Sequence, residues 1–202
     1  MSDLQTLEQG FLETLLALED DLDKIVIVGG WCPYLYAKYL WHKEISNIPT
    51  TTDDTLNRFL GRQLACNRIE AFEILLENPA RINIKHSEKN LHLNMPRPET
   101  FLYHKGITFV MRSYEPKRDK DLMYVYFILK FCPDQEALLS ALAQYKKHEL
   151  FKSFRSNLKK YMADVSKPGY KMLRPFVRRW VEEKKINEEI SEIFGPIFAL
   201  IR

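Results

Sequence analysis

Two short stretches on either side of residues 86–90 constrain the fold more than anything else in this chain. Arg81-Ile82-Asn83-Ile84-Lys85 and Leu91-His92-Leu93-Asn94-Met95 each alternate apolar with polar side chains. A period of two sends successive side chains to opposite faces, so each stretch is expected to be a half-buried strand, with 86–90 as the turn between them. After Pro96 the spacing changes to threes and fours and stays so. That pattern predicts helices at about 98–113, 118–131, 134–147, 149–164, 170–184 and 187–200. A strand-bearing first part followed by a helical remainder is α+β.

The N-terminal side refines this expectation. Leu4, Leu7, Phe11, Leu15, Leu18 and Leu22 recur at helical steps, predicting a helix over 4–22. Ile25-Val26-Ile27-Val28 is wholly apolar and β-branched, which predicts a short buried strand. Gly29-Gly30 ends it, and a helix is expected over 31–43 with Pro33 in its first turn. Residues 45–52 read as a loop leading into an extended piece that ends at Asp53-Asp54. A helix over 56–76 follows, stopped by Asn78-Pro79. The change of character near Pro133 suggests two parts, 1–132 and 133–202.

Composition narrows the classes. A net charge of +3 over 202 residues does not by itself make a nucleic-acid binder. Cys32, Cys66 and Cys132 form neither a metal pattern nor a disulfide framework, which suits a reducing cytoplasm. The acidic start lacks a basic, then apolar leader, so no signal peptide is expected. No apolar run reaches the about 18 residues of a membrane span, so no membrane partner is expected.

Several residues offer chemistry, each with a plainer alternative. Gly29 and Gly30 at a strand end can let a phosphate approach a helix N-terminus, or can simply make a tight turn. Asp53 and Asp54 can ligate Mg²⁺, or Asp54 can cap the next helix; adjacent strand residues point to opposite faces, so joint ligation needs a turn between them. Lys105 and Arg112 lie two helical turns apart on one face, and Lys105 sits among aromatic and aliphatic neighbours, where a lone ammonium is costly. Lys117, Lys120, Asp121 and Tyr124 share the next helix. Lysine suits phosphate as a point charge and arginine as a fork, although Lys117 and Lys120 alone read as solvated surface. The histidines show no ligand spacing. Cys32 can be activated at a helix N-terminus, but a buried thiol is the simpler reading. Lys146, Lys147, Lys152, Arg155, Lys159, Lys160, Arg174, Arg178 and Arg179 form either a patch for a nucleic-acid backbone or a solvated surface balanced by Glu182, Glu183, Glu188 and Glu189.

Taken in order, Val28-Gly29-Gly30, Thr52-Asp53, Phe101-Leu102-Tyr103-His104-Lys105-Gly106 with Arg112, and Lys120-Asp121-Leu122 resemble the nucleotidyltransferase-like proteins that include the AbiEii-type toxins. The likeness covers about residues 24 to 131. It implies a nucleotidyltransferase-like small mixed sheet flanked by helices, with a helical C-terminal part. It implies Mg²⁺-dependent transfer of a nucleotide from an NTP to an RNA (a tRNA among the candidates) or protein acceptor. It also implies the toxin of a toxin–antitoxin or phage-defence pair, with a cognate antitoxin protein as partner. Gly29 and Gly30 would line the triphosphate, Asp53 and Asp54 would bind metal, Lys105 would hold phosphate with Arg112 in support, and Lys120 and Asp121 would edge the nucleotide pocket. The chain departs from the family pattern in having Asp53-Asp54 without a spacer and no room for a later acidic strand. That fits either a degenerate acidic site or a chain closed up between about Asp53 and Leu60. The alternative function is a non-catalytic module on the same fold that binds nucleic acid or protein.

Overall fold

The computed structural model describes residues 3–46, 48, 71–86 and 88–202. Asp53, Asp54, Cys66 and most of the helix expected over 56–76 lie outside the described residues.

The first helix, α1 (Asp3–Ala17), buries Phe11, Leu12 and Leu15. It ends earlier than the apolar spacing predicts and passes into a 3₁₀ segment, Glu19–Lys24. Glu19, Asp20 and Asp21 lie where the partial negative charge of a helix C-terminus would oppose them, which accounts for the early stop. Residues 25–28 do not form the expected buried strand. They make one parallel bridge, Val26 to Asn94, with the Ile27 amide donating to the Asn94 carbonyl at 2.8 Å. The apolar run is too short to do more: a 3₁₀ segment ends just before it at Lys24, and Gly29 turns the chain away with φ +88°. A 3₁₀ turn (Gly29–Trp31), α2 (Cys32–Leu35) and a π-helical turn (Tyr36–Leu40) follow without interruption, largely as the sequence predicts for 31–43. The π turn carries Trp41 back to stack on Tyr36 at 5.5 Å, while the Tyr36 hydroxyl donates to the Pro96 carbonyl at 2.6 Å.

A short helix, α3 (Glu73–Leu76), leads to the predicted hairpin, β1 (Ala80–His86) and β2 (Lys89–Met95). The strands pair antiparallel with Ile82 opposite Leu93 and Ile84 opposite Leu91. Those four residues and Met95 are buried, whereas Arg81, Asn83, Lys85 and His92 face outward. Alternation therefore sets which face of the ribbon meets the core.

Six helices complete the chain: α4 (Pro98–Thr108), α5 (Glu115–Phe131), α6 (Gln135–Ala143), α7 (Phe151–Met162), α8 (Pro168–Val177) and α9 (Ile186–Leu200). Proline opens α4 and α8, where its missing N–H costs nothing. Asp134 caps α6 by accepting from the Ala137 amide at 2.8 Å. Every residue from Asp121 to Leu129 in α5 is buried, as befits a helix packed on several sides by α4, α8 and α9. Among the described residues the result is a mostly helical α+β arrangement with a two-stranded antiparallel sheet.

Candidate functional site

The helices α4 and α5 run side by side, and their contact positions the principal polar cluster. Lys105, in the last turn of α4, donates from Nζ to Asp121 Oδ1 at 2.8 Å. Arg112, just beyond the 3₁₀ turn that follows α4, donates from Nε to Asp121 Oδ2 at 2.9 Å. The Lys105 and Asp121 side chains are only 6% and 8% exposed, while Arg112 remains 36% exposed. The cluster thus has a buried pair and a solvent-facing member.

Desolvation explains the packing around Lys105. Its ammonium lies 5.5 Å from the Phe101 ring centroid and 5.7 Å from that of Tyr124. Ring faces attract a cation, and Asp121 supplies the counter-charge that burial demands. One carboxylate between two cations leaves the cluster with a formal charge of +1. Arg112 commits Nε to Asp121, and among the described residues no hydrogen bond holds its two Nη groups. Met111 and Tyr114, which flank this stretch of chain, are 55% and 62% exposed.

The Gly29-Gly30 turn reaches this cluster through Cys32. Gly29 needs its positive φ, and a Cβ there would meet nothing within 4 Å, so conformation rather than close approach requires the glycine. Cys32 is fully buried and donates from Sγ toward the Ile27 carbonyl at 3.5 Å. Burial pushes its thiol up to about 12, although the nearby Lys105 ammonium pulls the other way. The thiol is therefore a core residue and not an activated nucleophile. Trp31 stacks on Phe11 at 4.3 Å and buries its indole N–H without a hydrogen-bond partner among the described residues.

The structure brings together Lys105, Arg112 and Asp121 and sets Cys32, next to the Gly29-Gly30 turn, beside them. Lys120 is half-buried one residue before Asp121, with its ammonium 6.0 Å from the Tyr124 ring centroid. Asp53 and Asp54 lie outside the described residues. Among the described residues there is no group of three or more His, Cys, Asp or Glu side chains suited to a metal. Each Asp121 oxygen already accepts from a cation, so the carboxylate charge that a metal would need is balanced within the cluster.

A second polar feature gave no signal in the sequence. A cleft of about 470 Å³ is lined by residues that include Glu77, Arg97, Glu99, Tyr145 and His148. At its edge Tyr103 stacks on Tyr145 at 4.4 Å, and the Tyr103 hydroxyl meets His148 Nδ1 at 3.1 Å. The Leu150 amide also donates to that nitrogen at 3.2 Å, so the neutral ring carries its proton on Nε2. Tyr103 and His148 are far apart in sequence, and no local spacing announces such a pair.

Comparison with protein-family models, with curated proteins and with solved structures finds no match for the chain. Among the described residues no helix is long and apolar enough to cross a membrane.

Proposed function

We propose that the chain is a nucleotidyltransferase of the AbiEii-like kind, moving a nucleotide from an NTP to an RNA or protein acceptor. The observation that carries this reading is the Lys105–Asp121–Arg112 cluster, where a buried ion pair backs a half-exposed guanidinium. Arg112 would meet the triphosphate with its Nη donors, a geometry suited to phosphate oxygens. Lys105 would add positive potential from behind, and Asp121 would hold both cations in place. Such fixed charge assists phosphoryl chemistry by positioning and by stabilising developing negative charge. Tyr114, exposed two residues from Arg112, offers a ring face for a nucleobase.

Magnesium enters this reading only through Asp53 and Asp54. The described carboxylates do not fit it: the Asp121 charge is already balanced by two cations, and no group of three potential ligands forms among the described residues. A bound magnesium would shield the triphosphate and stabilise the departing pyrophosphate. The nucleotidyltransferase-like fold is supported by the hairpin with its single parallel bridge, followed by a helical remainder. A cytoplasmic setting, as the toxin of a pair with its own antitoxin, belongs to the same proposal, and the unbridged Cys32 and Cys132 are consistent with it.

The test is incubation with labelled ATP, GTP, CTP or UTP, Mg²⁺ and total RNA or protein, alongside direct measurement of NTP binding. Transfer of label, abolished by Asp53→Ala, supports the reading. Arg112→Ala should weaken NTP binding by about 10- to 100-fold, the value of a charge-assisted hydrogen bond. Absence of both NTP binding and labelled product overturns it. Asp121, whose charge is balanced by two cations, favours a second reading, a non-catalytic binding module on the same fold. Nucleic-acid binding that ignores Mg²⁺ and NTP, with no label transferred, would select that alternative.

A further inference from the structure

The helix α7 carries a charge distribution that the α4–α5 cluster does not use. Phe154, Leu158 and Met162 point into the core, and Asn157 donates from Nδ2 to the Gly106 and Ile107 carbonyls at 3.2 and 2.9 Å. The opposite face holds Lys152, Arg155, Ser156, Lys159 and Lys160, all exposed and lining one shallow groove. Steps of three, four, seven and eight put these five in a single stripe.

Three features separate this stripe from an ordinary solvated face. First, α7 contains no acidic residue, so its formal +4 exceeds the +3 of the whole chain. Second, none of the four cations forms an ion pair among the described residues; Lys160 alone has a partner, the Tyr161 ring at 5.8 Å. Elsewhere in the helical part, some cations are paired: Arg174 of α8 is bound to Glu183, and Lys184 pairs with Glu182 at 3.2 Å. The acids nearest in sequence are Glu149, exposed before the helix, and Asp164 after it, which is held by Ser166 and Lys167. Third, the neutral residues at the cations' side are exposed hydroxyls, Ser153 and Ser156, which can donate to phosphate oxygens.

We propose that this stripe docks the phosphate backbone of a nucleic acid. From Lys152 to Lys160 the helix rises about 12 Å. A stacked strand offers three or four phosphates over that length, at about 3.4 Å each. A membrane fits less well: the apolar residues of α7 are committed to the core, leaving no wedge to enter a lipid surface. Docking here needs neither NTP nor metal, so it stands apart from the transferase reading.

The experiment measures binding of a fluorescent 20-nucleotide RNA, and of DNA of the same sequence, by the full chain in EDTA without NTP. With four contacts, log affinity should fall against log salt with a slope of about −3, a loss of about 50-fold between 50 and 200 mM. The variant Lys152→Gln, Arg155→Gln, Lys159→Gln, Lys160→Gln should bring that slope close to zero. A charge-matched control, Lys24→Gln, Lys85→Gln, Lys184→Gln, Lys185→Gln, removes four exposed cations elsewhere and should keep the slope. Equal binding of RNA and DNA identifies the shared backbone as the ligand, and preference for either strand adds a sugar or base contact to the same surface. Equal losses in the two variants would mean that bulk charge, not this stripe, binds. No binding by the parent chain at 50 mM salt overturns the proposal. So does affinity confined to phosphatidylserine vesicles.

Discussion

At the scale of single residues the molecule is governed by how it settles buried charge. Lys105 and Asp121 are too enclosed to be hydrated, and each depends on the other. Arg112 breaks the symmetry of that dependence. Removing Lys105 leaves Asp121 with Arg112, whereas removing the Asp121 charge leaves two cations facing each other with one of them buried. Asp121→Asn is therefore expected to cost the 3–5 kcal/mol, roughly, of an uncompensated buried charge, and Lys105→Met distinctly less. Urea denaturation of the two variants checks this; equal losses would show that Arg112 does not share the carboxylate. Part of this is legible in the sequence: Lys105 is an ammonium among aromatic neighbours, and Lys105, Arg112 and Asp121 are all candidates there. That Asp121 binds both cations is not, because spacing along a helix says nothing about which neighbouring helix brings a partner. Cys32 makes a simpler prediction. Its thiol is pushed up to about 12, so it stays protonated through the mildly alkaline range. Iodoacetamide should leave native Cys32 unlabelled between pH 7 and 9 and label it fully once the chain is unfolded. Native labelling that accelerates over that range would place the thiol in contact with water.

Elements are placed by what their side chains can bury, and the crossing of α7 on α4 shows how narrowly. A Cβ at Gly106 would lie 2.5 Å from Phe154 Cδ2, and Phe154 is itself fully buried. The ring has no room to retreat, so alanine there must push the two helices apart. Overpacking typically costs about 1–3 kcal/mol, offset by about 1 kcal/mol from alanine's better helix propensity. Gly106→Ala should thus lower the urea midpoint, and Phe154→Leu added to it should recover part of the loss by freeing space. A single variant as stable as the parent would refute the close crossing. Elements with a complete periodic signal are readable: Ile82, Ile84, Leu91 and Leu93 announce the hairpin, and the steps of three and four after Pro96 announce the helices that follow it. Residues 25–28 are not, because a β-branched run reports burial and extended backbone but not whether neighbouring turns leave room for a ladder. The 3₁₀ segment on one side and the positive φ of Gly29 on the other reduce it to one bridge.

The whole molecule is organised around α5. It carries Asp121 for the ion cluster, packs against α4, α8 and α9, and presents Tyr126 to Glu189 of α9 at 3.2 Å. A helix enclosed in this way cannot open without dismantling the packing of its neighbours, so its amides exchange only through near-global unfolding. By contrast, α1 buries one stripe and ends in an acidic 3₁₀ turn, where local opening exposes little. Native-state hydrogen exchange read by mass spectrometry should therefore find the slowest amides at 121–129 and clearly faster ones in α1. Asp121→Asn tests whether the ion cluster is part of the same unit. If Lys105, Arg112 and Asp121 join α4 to α5 cooperatively, that substitution should speed exchange along both helices together, while the basic face of α7 stays as accessible as before. Acceleration confined to the turn around Arg112 would instead make the cluster a local clasp, with α5 held by its apolar contacts alone.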